Sequence, residues 1–331
     1  MAGATMADVA RAAGVSKQTV SRVINAHPSV TEATRTRVKD AIDRLGYRPN
    51  VAARQLAMRD SMTVGVLTAD LALYGPAQLV QGVEEAARAR GYFTSIAGIA
   101  STPSSGTDEI LERFFAQRFD AVILLDVNDQ LLARTSGLSG TRHVISAPLG
   151  STHDDFWQHD RTAVREATEY LISLGHTRIA HIGGPSMWPS ARERERGWRD
   201  ALDAAGLPAI PVVRSTWSAE GGSSAGEELA ANGAVTAVVA ASDDIALGAI
   251  SALTRRGRRV PDDVSVIGFD GTPSSAFFIP SLTTVSCDFR ALGARYVDAL
   301  SVELGEEVGP HEESWTELVV RGSTARRLER V

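Results

Sequence analysis

From Met62 onward, short and wholly apolar runs alternate with longer amphipathic ones, and this alternation constrains the fold more than any other feature. "MTVGVLT" (62–68), "FTSIAGIA", "AVILLD", "RIAHIGG", "VVR", "AVVAA" and "VSVIGFD" read as strands. Between them, "PAQLVQGVEEAARARGY" (76–92) places Leu79, Val83 and Ala87 on one helical face. "EILERFFAQRF", "AVREATEYLISLG", "ARERERGWRDALDAAG", "AGEELAANG" and "DIALGAISALTRRG" read as further helices. Strands that are apolar on both sides, each followed by a helix, describe parallel sheets covered on both faces. The pattern restarts after about residue 160, which predicts two similar α/β lobes with a cleft between them. In such sheets ligands sit beyond the carboxyl ends of the strands. The cleft is therefore expected at the loops near 69–76, 126–128, 147–150, 184–192, 242–244 and 270–275.

Before Met62 the character of the chain changes. Residues 1–60 carry ten Lys/Arg and five Asp/Glu, which leaves 24 and 35 for the rest of the 331 residues. A small basic head on a large acidic body suits a polyanionic partner for the head, although charges also cluster by chance. The head reads as three short helices. Thr5 and Asp8 resemble a capping box around "MADVARAA", with Val9, Ala10 and Ala13 as the apolar face and Gly14 as the stop. Ser16 is a natural N-cap for a second helix from Lys17 to about Asn25, with Val20, Val23 and Ile24 inward. "EATRTRVKDAIDRL" follows Thr31, with Val38, Ile42 and Leu45 as its stripe and Gly46 as its end.

Two helices joined at Gly14 and buttressed by a third make a helix-turn-helix, whose second helix presents its first side chains to the major groove. Lys17, Gln18 and Arg22 lie away from the apolar side; Gln can pair twice with adenine and Arg twice with guanine. Thr19 and Ser21, with backbone N–H groups at the helix start, suit phosphates. The alternative is a solvated helix face. In "YRPNVAARQLAMRDS" (47–61) only about eight residues, Asn50 to Ala57, can be helical, and helices that short are marginal in water. Leu56, apolar among Arg and Ala, can wedge between base steps in the minor groove or pack on the body.

"MADVARAAGVSKQTVSRVIN", "VTEATRTRVKDAIDRLGYRPN" and "VAARQLA", in that order, resemble the head and hinge of the lactose-repressor (LacI/GalR) family of bacterial transcription regulators. In the body, "LALYGPAQLV", "SARERERGW", "TWSAEGG", "DDIALGAI", "GFDGTPSSAFFIPSLTTV" and "DFRALG" look closest to the lactose-repressor branch, so the likeness runs from residue 5 to about 325. It implies a helix-turn-helix head (1–48), a hinge (49–61) and a periplasmic-binding-protein-like body (62–331). Lobe 1 would take about 62–158 and 290–317, and lobe 2 about 159–289 and 318–331. By position, Lys17, Gln18 and Arg22 match base-reading residues. Leu56 matches a minor-groove leucine that works paired with its copy in a second subunit. Thr5, Ser16, Thr19, Ser21, Asn25, Asn50 and Ala53 complete the expected DNA-facing set. Lys17 stands where that branch has a tyrosine, so the operator is expected to differ there.

Enzyme readings find little support. There is no G-x-G-x-x-G after the first strand, no P-loop and no G-x-S-x-G elbow. The histidines show no H-E-x-x-H pattern, and the single Cys287 excludes a cysteine-rich zinc site and an internal disulfide. Neither catalytic residues nor a metal or cofactor are expected. Asp126, Asp243 and Asp270 at strand ends can accept from hydroxyls or cap the next helix. With Arg192, they offer a sugar the polar groups it needs, and Tyr74, Trp188, Trp217 and Phe289 offer flat faces for its C–H surface.

The resemblance makes Arg192 and Asp270 hydroxyl clamps, Trp217 and Phe289 aromatic walls, and Leu73, Pro76 and Leu79 an apolar rim. Ala69, Leu125 and Ala147 stand where the branch carries Ser, Asn and Asp. Ser242 replaces an Asn, and Trp188 a small serine. A site without a hydrogen-bonding partner cannot select the group it would have held. A sugar or oligosaccharide with a larger apolar face is therefore expected, with a galactoside-like inducer still among the candidates. The chain is expected to act as a cytoplasmic repressor, dimeric on a near-palindromic operator and released by a sugar. A corepressor-type regulator of the same family and a sugar-binding carrier are the alternatives. No apolar run reaches membrane-spanning length, no secretion signal is evident, and the C-terminus lacks leucine heptads for a tetramer.

Overall fold

The computed structural model describes residues 4–24, 27, 29–47, 61–99, 106–135, 143–146, 157–310 and 315–327. The chain divides into two compact units, Met1–Ser61 and Met62–Val331.

The first unit holds α1 (Met6–Ala13), α2 (Lys17–Ile24) and α3 (Glu32–Leu45). The capping box forms: the Asp8 amide donates to Thr5 Oγ1 at 3.3 Å, and the Thr5 amide donates to Asp8 Oδ2 at 3.0 Å. Gly14 ends α1 in the left-handed region at φ 65°, where a Cβ is penalised. Val9, Ala10, Ala13, Val20, Val23, Val38, Ala41 and Tyr47 form the core. On α3 the inward residue after Val38 is Ala41; Leu45 is 38% exposed, and Ile42 is only partly covered. The expected stripe of Val38, Ile42 and Leu45 thus rotates by one position, because Ala41 is small enough for α1 to pack against α3.

In the second unit, β1 (Thr63–Ala69), β2 (Phe93–Ile99), β3 (Ala121–Leu125) and β4 (His143–Ile145) form a parallel sheet of order β2-β1-β3-β4. Between its strands lie α4 (Tyr74–Ala89), α5 (Thr107–Phe115) and α6 (Asp129–Thr135). The chain continues through α7 (Gln158–Ser173), β5 (Ile179–Gly183), α8 (Pro189–Ala204), β6 (Val213–Arg214), α9 (Ala219–Ala231), β7 (Ala237–Ala240), α10 (Asp243–Arg255) and β8 (Ser265–Asp270). A 3-10 turn (Pro273–Phe277), β9 (Thr283–Cys287), α11 (Phe289–Glu303) and β10 (Thr316–Val319) complete it. The second sheet has the order β10-β9-β8-β7-β5-β6, parallel except for the β9–β10 pair.

Both sheets are covered on two faces. Val64, Val66 and Ile123 face α4 and α11, while Leu67, Val122 and Leu124 face α5. In the second sheet, Ala180, Val238 and Val266 face α9 and α10, and Ile179, Val239 and Phe269 face α7 and α8. Glycines let paired helices touch: a Cβ on Gly82 would lie 2.1 Å from the Arg290 carbonyl oxygen, and one on Gly293 would lie 2.3 Å from that of Leu79. Because α11 belongs to the first sheet while β9 and β10 belong to the second, the chain crosses between them three times. The last crossing falls before Thr316, so all of β10 lies in the second sheet. Two histidines, His176 and His181, serve packing in the second sheet. His181 is fully buried against Trp198 and shares a 2.8 Å hydrogen bond with the Val239 carbonyl. His176 pairs with Thr236 and Ser265.

Candidate functional site

The expected site residues that the structure describes fall in two places, one in each unit. On α2, Val20 and Val23 are buried, which leaves Lys17, Gln18 and Arg22 exposed together on the outer side. Ser16 caps the helix: its Oγ accepts from the Thr19 amide at 3.1 Å and bonds Thr19 Oγ1 at 2.9 Å. Thr5 is committed to the capping box of α1, and Ser21 is half-buried. Asn25, Asn50, Ala53 and Leu56, with the hinge, lie outside the described residues.

The second surface is a cavity of about 690 Å³, counting its solvent-filled mouth, between the two sheets at the carboxyl ends of their strands. The β1–α4 segment contributes Leu73, Tyr74, Pro76 and Leu79, and the end of β3 contributes Asp126. The second sheet contributes Trp217, Ser242 and Asp270, and α11 contributes Phe289. Phe289 stands edge-on to Tyr74 at 6.1 Å, over Gly75, where a Cβ would come within 3.2 Å of the ring. Trp217 closes over Gly184 in the same way, since a Cβ there would lie 2.5 Å from the indole.

Three expected residues are not in the lining. Arg192 is replaced by Arg194. The buried stripe of α8 runs through Ser190, Arg194, Trp198 and Ala201, at three- and four-residue spacing. Two residues along a helix turn the side chain by about 200°, so Arg192 and Arg194 leave opposite faces. Arg192 donates to the Ser186 carbonyl at 3.1 Å instead. Trp188 is 1% exposed and packs with Ala69 and Ala191. The small residue at 69 makes the space that the large one at 188 fills. Asp243 is fully buried and ties strand ends together: its carboxylate accepts from the Thr272 amide (2.7 Å), Thr272 Oγ1 (2.9 Å) and Thr284 Oγ1 (2.6 Å). Its neighbour Asp244 lines the cavity. Leu125 is buried in the first sheet, and Ala147 lies outside the described residues.

The sequence reading also missed Trp157, Asp160, Ser190, Cys287 and Trp315 in the lining. Ser190 shares the Arg194 stripe, so helical phase would have found both. Trp315 and Trp157 precede β10 and α7 at lobe crossings, where no local pattern marks them.

Arg194 organises the polar wall. Its Nε donates to Asp160 Oδ2 at 2.7 Å and its Nη1 to the Ala241 carbonyl at 2.6 Å, with Asp270 Oδ1 at 3.5 Å. Burial disfavours its charge, but Asp160 and Asp270 outweigh this and hold it protonated. Asp270 and Asp126 end their strands in the positive-φ region, at 101° and 44°. Burial pushes the Asp270 carboxyl well above its usual range against the pull of Arg194, and raises Asp126 to about 7. Burial raises Asp244 as well. The wall is thus rich in hydrogen-bond acceptors, built on one guanidinium and flanked by rings. Among the described residues no group of His, Cys, Asp and Glu is arranged to hold a metal ion, and no helix is long and apolar enough to cross a membrane.

Both units resemble known proteins. Residues 5–50 match the model for bacterial regulatory proteins of the lacI family, and residues 168–324 match a periplasmic binding protein-like domain. The lactose operon repressor of Escherichia coli K12 is 34% identical over 97% of this chain and 90% of its own length. A lac repressor dimer bound to operator and the anti-inducer ONPF superposes with a TM-score of 0.85, covering 98% of this chain and 100% of that one. The transcriptional regulator MalR of Streptomyces coelicolor is 37% identical over 97% of this chain and 96% of its own length. A complex of the transcriptional regulator CelR with cellobiose superposes with a TM-score of 0.69 at 33% identity, covering 97% and 99%. The chain belongs to the lacI family of bacterial regulatory proteins: it is a ligand-responsive, DNA-binding transcriptional regulator and not an enzyme.

Proposed function

We propose that this regulator is a cytoplasmic repressor that sits as a homodimer on a near-palindromic operator and leaves it when a saccharide fills the cavity between the two sheets. The observation that carries this reading is the composition of the cavity wall. Carboxylates and one guanidinium bridge neighbouring hydroxyls, and Trp217, Phe289 and Tyr74 offer faces to the C–H side of a sugar ring. Leu73, Pro76 and Leu79 form an apolar rim.

In the head, Lys17, Gln18 and Arg22 read bases in the major groove, while Thr19, Ser21 and the start of α2 hold phosphates. Asn50, Ala53 and Leu56 serve the minor groove, where paired Leu56 side chains open a base step. Phe277 and Ile279 are 84% and 92% exposed, which supports a dimer surface on the body. Release requires the saccharide to bind the lobe arrangement that separates the hinges more tightly than the one that pairs them.

A gel shift with fragments of neighbouring promoters tests this. One fragment is expected to bind with steep salt dependence and to be released by a saccharide. Equal binding to all fragments at moderate salt would refute the operator reading. Release by no saccharide would refute the effector class.

A further inference from the structure

The strongest unexplained feature of the cavity is Asp126. Its Oδ1 is buried and has no hydrogen-bond partner among the described residues. A buried carboxylate oxygen without a partner is expensive, so one that opens into a cavity is a candidate acceptor for whatever the cavity holds. The backbone adds a second sign of purpose. Asp126 is held at φ 44°, directly after β3, a conformation that costs a non-glycine residue energy and recurs at ligand sites. The strand before it, Ala121–Leu125, is buried throughout, so the polar group appears where the sheet opens into the cavity.

No neighbouring group satisfies this oxygen. Arg194 is the guanidinium of the wall, and its Nε and Nη1 are committed to Asp160 and to the Ala241 carbonyl. The other charged or titratable groups that face Asp126 are Asp160 on α7 and Tyr296 on α11. Asp160 repels the ionised form, and Tyr296 is itself fully buried. Leu125 beside it points into the sheet core and offers nothing polar.

Resting on the saccharide reading, we propose that Asp126 is the specificity-determining residue of the cavity. It accepts a hydrogen bond from a donor at the inner end of the effector, a sugar hydroxyl or a sugar ammonium, and rejects sugars that lack a donor there. The ionised carboxylate is the better acceptor, so the effector lowers the proton affinity of Asp126 on binding. In the free protein burial places that group at about 7. Binding is therefore strongest above pH 7 and weakens as pH falls through 7.

The test uses the full chain and the intrinsic fluorescence of Trp157, Trp217 and Trp315, which line the cavity. Cellobiose, lactose, maltose, glucose, galactose, glucosamine and galactosamine are titrated at pH 6 and pH 8. The same series is run on Asp126→Asn, a variant whose side chain tolerates positive φ. Thermal denaturation confirms that it folds. The sugar that binds the native chain is expected to bind Asp126→Asn at least about tenfold more weakly. The native preference for pH 8 is expected to shrink in the variant, which keeps only the contribution of the raised Asp270 and Asp244 carboxyls. Glucosamine or galactosamine binding more than tenfold tighter than its parent would identify the donor as an ammonium, and parity would identify it as a hydroxyl. Unchanged affinity and pH profile in Asp126→Asn would overturn the proposal while leaving the saccharide reading intact. Binding of no sugar in the panel would overturn both.

Discussion

Arg194 lies over the ring of Phe269, with 3.7 Å from the guanidinium carbon to the ring centroid, while its Nε donates to Asp160. One side chain thus closes three interactions at once: a stack on β8, a salt bridge to α7 and a hydrogen bond to the end of β7. Its fork is pre-organised for this, and a lysine ammonium cannot reproduce it. Arg194→Lys is therefore expected to lower the melting temperature and to abolish the saccharide response. Arg194→Ala leaves Asp160 buried without its cation, a loss of about 3–5 kcal/mol for a broken buried pair. Arg192→Ala should change stability by less than about 0.5 kcal/mol and respond normally. Calorimetric melting and effector release on the three variants check this; loss of response in Arg192→Ala alone would return the site to the outer face of α8.

The contrast between these two arginines shows what was legible in advance. The head could be read closely, because capping and stop signals are local: Thr5, Asp8 and Gly14 act within a few turns of one short helix. The alternating strands and helices were readable for the same reason. Side-chain destinations depended on partners far away in sequence. Trp188 looked like a sugar platform, but Ala69, more than a hundred residues earlier, leaves room for it in the core. Asp243 was expected to offer a sugar a polar group, but Thr272 and Thr284 consume its oxygens. Arg194 was the exception, since the spacing Ser190–Arg194–Trp198 was already in the sequence. The late elements β9, α11 and β10 escaped a local reading because they return to sheets begun elsewhere.

On the head, Lys17 and Gln18 are exposed, and neither belongs to its core. Replacing either by alanine should leave folding unchanged. Each variant gives up the hydrogen bonds that one side chain makes to a base edge. Specific operator binding should weaken by about 1–3 kcal/mol, roughly 5- to 150-fold. Binding to unrelated DNA should weaken far less. Fluorescence anisotropy with operator and scrambled duplexes measures both. Equal losses on the two duplexes would mean that these residues hold phosphates rather than read bases.

The exposed apolar pair Phe277 and Ile279 makes a separate prediction. Because they are 84% and 92% exposed, the double variant Phe277→Glu, Ile279→Glu should still fold, with the secondary structure of the native chain by circular dichroism. If this face joins two copies, the variant should be monomeric at concentrations where the native chain is dimeric. Its specific operator affinity should fall with it, since two heads must dock together. Light scattering after size exclusion reads the first effect. An unchanged dimer would move the interface elsewhere on the body.

Acid stability reports on His181. The imidazole is fully buried in the second sheet, and burial lowers its proton affinity to about 4 against the partial support of the Val239 carbonyl. The unfolded chain binds that proton with an ordinary affinity near pH 6.5. Between about pH 6.5 and 4 the unfolded state therefore carries more protons, and acid favours unfolding. The contribution of the neutral imidazole is fully present above pH 6.5 and is lost as pH falls through 4, about 3 kcal/mol across that window. His181→Gln keeps a donor for the Val239 carbonyl but has no proton to gain. Urea denaturation at pH 7, 6 and 5 should therefore give a flatter curve of stability against pH for this variant, whatever its absolute stability. An identical slope in the two proteins would mean that His181 is protonated in the folded state, and that the stack on Trp198 holds a cation.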